Sequence, residues 1–248
     1  MSETDFSKER GVADELHINE FVQSVGGVLA TPLITRPGVK SADYLFQDGR
    51  VVAELKILET EFSSQPNLIN TLQRLLVSNP EMSVQSEAFQ NELIKLLIKP
   101  LRRIISRANQ QIKHTKIELG VTDYRGVIIV VNDEFRGLPP GFVMGLLARA
   151  AMGAHFTNTQ CILYITNHYV ELTTHPDALL LWCPQYAMDI DETSDLPNFI
   201  NDLGRKWRAY LESQMGPFTS SEEQETMNFE QLSVATGSRR NTRYIPST

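Results

Sequence analysis

Asp43, Glu54 and Lys56 are three charged side chains in SADYLFQDGRVVAELK (residues 41–56), a stretch otherwise dominated by apolar and aromatic residues. Their types suit phosphodiester hydrolysis. A hard divalent cation such as Mg²⁺ binds through one or two carboxylates and keeps several waters. The cation polarises a phosphoryl oxygen and lowers the pKa of a bound water. A lysine beside it can orient that water or neutralise charge as it develops.

The elements that must position these groups are local. Asp48-Gly49 lies between two apolar runs and predicts a β-hairpin, because both residues tolerate the positive φ of a tight turn. The implied register sets Phe46 opposite Val51, Leu45 opposite Val52, Tyr44 opposite Ala53 and Asp43 opposite Glu54. Side chains alternate along a strand. One face is then Ala42, Tyr44, Phe46, Val51, Ala53, Leu55 and Ile57; the other is Asp43, Leu45, Gln47, Arg50, Val52, Glu54 and Lys56. Two carboxylates facing each other across strands are destabilising, since cross-strand pairs contribute about 0.2–1 kcal/mol. A bound cation would offset that repulsion.

Asp43 followed by Glu54-Leu55-Lys56 across a hairpin resembles the D…(D/E)-x-K motif of the PD-(D/E)XK nuclease superfamily, the restriction-endonuclease-like fold. Ala42 stands where many members have Pro, a position that supplies no chemical group. The resemblance covers residues 12–135. It implies an α/β core with a mixed central sheet flanked by helices, and a Mg²⁺-dependent nuclease, with Mn²⁺ a plausible substitute. Asp43 and Glu54 would be metal ligands and Lys56 the catalytic lysine. An accessory acidic residue on the helix before the sheet would be Glu20, with Glu15 the alternative.

Composition is that of an ordinary globular chain. Of 248 residues, 42 % are hydrophobic and 21 % charged, which fits one domain with insertions. No apolar run reaches membrane-spanning length and the MSETDFSKER start is too polar for a signal peptide, so a cytoplasmic location without a membrane partner is expected. Cys161 and Cys183 sit in apolar runs and read as buried thiols. His17, His114, His155, His168 and His175 show no zinc-ligand spacing. The net charge of −7 opposes nucleic-acid binding in total but hides a local field. Between Lys95 and Lys116 lie seven basic residues and no acidic one.

Residues 1–11 read as loose, and a helix is expected over 13–24, closed by Gly26-Gly27. VLATPLIT (28–35) reads as a strand with Pro32 at an edge. Residues 59–96 read as a partly helical insertion. The spacing predicts a helix over 97–117, regular from Lys99 because Pro100 suits a first turn. It carries an apolar stripe (Leu97, Leu101, Ile104, Ile105, Ala108, Ile112) and a basic face. Lys99, Arg102, Arg103 and Lys113 are the expected contacts to nucleic acid, DNA in the first place. Gln110-Gln111 falls on the same helix, but its distance from Lys56 gives it no role. RGVIIVVND (125–133) reads as a buried strand, LPPGFVMGLLARAAMG as a helix, TQCILYITNHYVEL and ALLLWCPQYAM as strands, and residues 198–215 as a closing helix. The domain is thus expected over 12–215, with a disordered tail over 216–248. Oligomeric state is left open, a homodimer included. Two rival functions remain: a binding module that keeps the fold without catalysis, and a protein-interaction scaffold.

Overall fold

A computed structural model describes residues 3–59, 65–79, 83, 85–152, 156–172, 178–187, 190, 194–218, 220–223, 232–235, 238–240 and 243–247. Six strands build a central mixed sheet: β1 (Val28–Leu29), β2 (Tyr44–Phe46), β3 (Val51–Leu58), β4 (Arg125–Asn132), β5 (Cys161–Thr166) and β6 (Trp182–Tyr186). Their spatial order is β6-β5-β4-β3-β2-β1. The β3, β4 and β5 strands run parallel, while β1, β2 and β6 join antiparallel. Five helices accompany it: α1 (Glu15–Ser24), α2 (Pro66–Ser78), α3 (Glu87–Glu118), α4 (Pro140–Ala151) and α5 (Asp195–Met215). The chain is an α/β protein whose mixed sheet is covered by helices on both faces.

The near-continuous apolar character of β4 follows from that cover, because a strand in the middle of such a sheet is buried on both sides. Ile128 and Val130 face one core with Leu101, Ile105 and Ile112 of α3 and Leu147 of α4. Val127 and Ile129 face the other, with Ile18 and Phe21 of α1 and Trp207 of α5. Phe21 meets Trp207 edge-on at 5.0 Å between ring centroids, a geometry favoured by the ring quadrupoles.

The hairpin register is the expected one, with Tyr44, Leu45 and Phe46 opposite Ala53, Val52 and Val51. Its turn works differently. Arg50, not Gly49, takes the positive φ, at 49°. Gly49 is required by crowding instead, since a Cβ there would sit 2.3 Å from the Phe199 ring of α5. Gly126 at the start of β4 is tighter still: a Cβ would meet the Asn158 carbonyl oxygen at 1.8 Å. That oxygen is backbone and cannot swing away. Gly126→Ala is therefore expected to cost about 1–3 kcal/mol, the range for overpacking, seen as a lower urea midpoint at unchanged m-value.

Several elements depart from expectation. The α3 helix begins at Glu87 rather than at 97–99, capped by Ser86, whose hydroxyl accepts from Phe89 N at 3.3 Å. It runs straight through Pro100. Interior proline costs about 3 kcal/mol, but Leu97, Leu101 and Ile105 flank it fully buried, each worth about 1.5–3 kcal/mol. Packing wins over propensity. VLATPLIT yields only the two-residue β1 before a 3₁₀ turn at Thr31–Leu33, where Pro32 has no N–H to give a ladder. TQCILYITNHYVEL divides into β5 and a separate strand, Val170–Leu172.

Residues near both chain ends pack on the sheet. Phe6 is buried against Tyr169 with ring centroids 4.8 Å apart, and Gly11 N donates to Asn167 O at 2.8 Å. In the expected tail, part of which lies outside the described residues, Leu232–Val234 pairs antiparallel with Val170–Leu172, and Leu232 and Ala235 are buried. A few apolar residues suffice when a sheet edge already offers unpaired backbone groups.

Candidate active site

Asp43 precedes β2 and Glu54 and Lys56 lie on β3, so the observed register brings the three onto one face of the sheet. That face is not a solvent face. Leu45 and Val52, its neighbours, are buried in the core under α3. Glu54 itself is 0 % exposed, whereas the Lys56 side chain keeps 25 %. The charges therefore lie at the edge of a core, where an unpaired carboxylate is costly.

Specific bonds hold each group. One oxygen of Asp43, Oδ2, accepts from Leu55 N at 2.8 Å, tying its carboxylate across the hairpin. The Lys56 ammonium donates to Glu54 Oε1. The second Glu54 oxygen, Oε2, is buried and takes no donor from the rest of the described chain; its one polar neighbour is the Asp43 carboxyl, with which it can share a proton. Burial, then the neighbouring Asp43 charge, raises the Glu54 carboxyl from 4.5 to about 8, although Lys56 pulls in the opposite direction. Two groups that share a field and differ in environment are the usual mark of a chemical site.

Sequence reasoning missed Gln111. Its Oε1 accepts from Lys56 Nζ at 3.3 Å, and its Nε2 donates to Ser41 O at 2.9 Å, two residues before Asp43. Four residues on, and thus on the same side of α3, the Thr115 hydroxyl accepts from Ala42 N at 2.7 Å. The helix therefore grips both strands that carry the charges. A polar Gln at i and Thr at i+4 amid the buried stripe of α3 was the available signal.

The Tyr210 hydroxyl of α5 donates to Glu20 Oε2 at 3.0 Å, which commits that carboxylate to the α1–α5 contact. Among the described residues no three His, Cys, Asp or Glu side chains form a metal-holding group. The Tyr44 hydroxyl, bonded to Asn19 Oδ1 at 2.7 Å, is pushed upward by burial and then by Asp43, Glu15 and Glu54. Of the two α1 carboxylates, Glu15 contributes to that shared field.

Lys99, Arg102, Arg103 and Lys113 are all exposed on α3. A groove runs along this helix face, lined by Lys95, Lys99, Arg102, Arg103 and Arg107. Lys113 is absent from its lining. Lys116 is buried, donates to Asn158 O at 3.2 Å, and is pushed down to about 8 by burial and then by Arg125. It belongs to the core rather than to the basic face. His168 is buried and held down at about 4 by burial and then by Arg136. His155 and His175 lie outside the described residues. Cys161 and Cys183 are buried free thiols.

The fold and the site define a class no narrower than an α/β protein with a paired-carboxylate and lysine cluster on its central sheet. Comparison with known proteins adds nothing to this: no family model matches the chain, and neither a curated protein nor a solved structure matches it. Among the described residues, no helix is long and apolar enough to cross a membrane.

Proposed function

We propose that this protein is a Mg²⁺-dependent phosphodiesterase acting on nucleic acid, DNA in the first place, of the PD-(D/E)XK kind that its motif resembles. One observation carries the reading: the fully buried Glu54 carboxyl, one oxygen of which has no donor and only the Asp43 carboxyl beside it, on the same face as Lys56. Buried polar atoms are normally satisfied, and a divalent cation is the partner that two facing carboxylates suit. Asp43 and Glu54 would hold Mg²⁺, with Mn²⁺ a plausible substitute. When bound, such an ion supplies a Lewis acid and a water of lowered pKa.

The remaining work falls to the chain itself. Glu54 must give up its proton to serve as a ligand, which couples occupancy to pH. Lys56 keeps part of its surface open and offers N–H donors to a phosphoryl oxygen whose charge grows during attack. Gln111 limits the swing of that ammonium while anchoring the segment before Asp43. The exposed cations of α3 would bind the phosphates on either side of the reacting one.

A panel of single-stranded DNA, duplex DNA and RNA with Mg²⁺ or EDTA tests the proposal. Metal-dependent cleavage of at least one polymer is expected, with a higher melting temperature in Mg²⁺ by linkage. No cleavage of any polymer together with no thermal shift would favour a binding or scaffold protein that uses the cluster structurally.

A further inference from the structure

Lys95, Lys99, Arg103, Arg107 and Gln111 follow one another at four-residue steps along α3. Residues at that spacing form a continuous ridge on a helix surface, and each step advances about 6 Å along the axis. The four cations are exposed, and all four line the groove on that face. No carboxylate among the described residues pairs with Lys99, Arg103 or Arg107, and the outermost, Lys95, pairs only with exposed Glu92 at 2.6 Å. The ridge does not end at random. Its last member, Gln111, accepts from Lys56 at 3.3 Å, so the row of charges leads directly into the candidate active site.

Resting on the phosphodiesterase reading of that site, we propose that the ridge is a track for one single strand of nucleic acid. The strand lies along α3 from Gln111 towards Lys95, with one phosphate at each of Arg107, Arg103, Lys99 and Lys95. The cation spacing is of the order of the separation between consecutive phosphates of an extended strand. Arg102 lines the same groove beside this row, but only the row at four-residue steps continues to Gln111, and one backbone can follow it, whereas a duplex presents two. The substrate is thereby defined as a strand with several nucleotides on one side of the bond to be cut. Lys113 shares its phase with Lys95 five turns earlier, but at its own level on the helix the ridge has wound round to Gln111, about 200° away about the axis, so Lys113 lies off the path.

Fluorescence-anisotropy titration of labelled oligothymidylates, in EDTA so that no cleavage intervenes, tests the track. Affinity should rise with length up to about five nucleotides and then flatten, since each neutralised phosphate adds to binding. For four contacts on a single strand the slope of log K against log[salt] should be about −2.8, and Arg103→Ala or Arg107→Ala should each reduce its magnitude by about 0.7. Arg103→Lys should keep the slope, and Lys113→Ala should leave it unchanged. The track is refuted if Arg103→Ala and Arg107→Ala leave the slope as it was, if Lys113→Ala matches them, or if duplex DNA binds more tightly and with a steeper slope. Failure of the two readings is separable. Cleavage with no change in slope sinks the track alone, and the expected slopes without cleavage sink the hydrolase alone.

Discussion

Lys56→Ala should slow cleavage by about 10²–10³-fold, the loss typical of removing one preorganised donor to a developing oxyanion, while the folded structure persists. The Lys56 side chain is a quarter exposed, and its ammonium donates to the Glu54 carboxylate and to Gln111. Its truncation removes the ammonium and both of those bonds. One consequence must be allowed for. Lys56 lowers the Glu54 pKa, so removing it raises that carboxyl further above about 8 and weakens metal binding near neutrality. Rates and thermal shifts are therefore compared at a pH above 9. There the Mg²⁺-induced rise in melting temperature should survive in Lys56→Ala and shrink in Glu54→Ala, which lacks a ligand. Parental rates in Lys56→Ala, on a substrate the parent cleaves, would remove Lys56 from the chemistry.

The stability of the metal-free protein should fall as pH rises from about 4.5 to about 8, and Glu54→Gln should abolish that fall. The sign follows from proton binding. Glu54 titrates near 4.5 in the unfolded chain and near 8 in the native one, mainly because of burial and then Asp43. Between those values the folded protein holds one proton more, so the neutral carboxyl's contribution is complete below 4.5 and lost as pH rises through 8. The slope is at most about 1.4 kcal/mol per pH unit for one proton. Glu54→Gln keeps a neutral polar group of the same size at every pH, and its unfolding free energy should lack this component. Mg²⁺ requires the carboxylate, so its stabilising increment in the wild type should grow with pH up to about 8. Urea unfolding of both proteins at pH 5, 6.5 and 8, with and without Mg²⁺, measures this. Parallel pH dependence in the two would show that Glu54 titrates normally.

The charged cluster itself was legible in the sequence because it is a local construction. Period-two alternation and a two-residue turn signal are enough to set Tyr44 against Ala53, and Asp43, just before that strand, then reaches the field of Glu54. The apolar stripe of α3 was legible for the same reason, since helical spacing is a short-range property. Leu97, Leu101, Ile105, Ala108 and Ile112 are all buried as that spacing requires.

What the sequence could not contain was the environment of those residues. A polar face on a hairpin reads as solvated, yet Glu54 is fully buried because α3, from far along the chain, packs over it. The same packing delivers Gln111 to Lys56 across 55 positions and carries the helix through Pro100, against its local preference. It also separates the two carboxylates of α1, because α5 supplies Tyr210 to Glu20. Backbone pairing at the sheet edge recruits Leu232 from a segment too poor in apolar residues to announce itself. Alternation and turn chemistry act over a few residues and are written in order along the chain. Burial, and with it the pKa of Glu54 and the partners of Lys56, depends on which distant surfaces meet, and only the tertiary structure decides that.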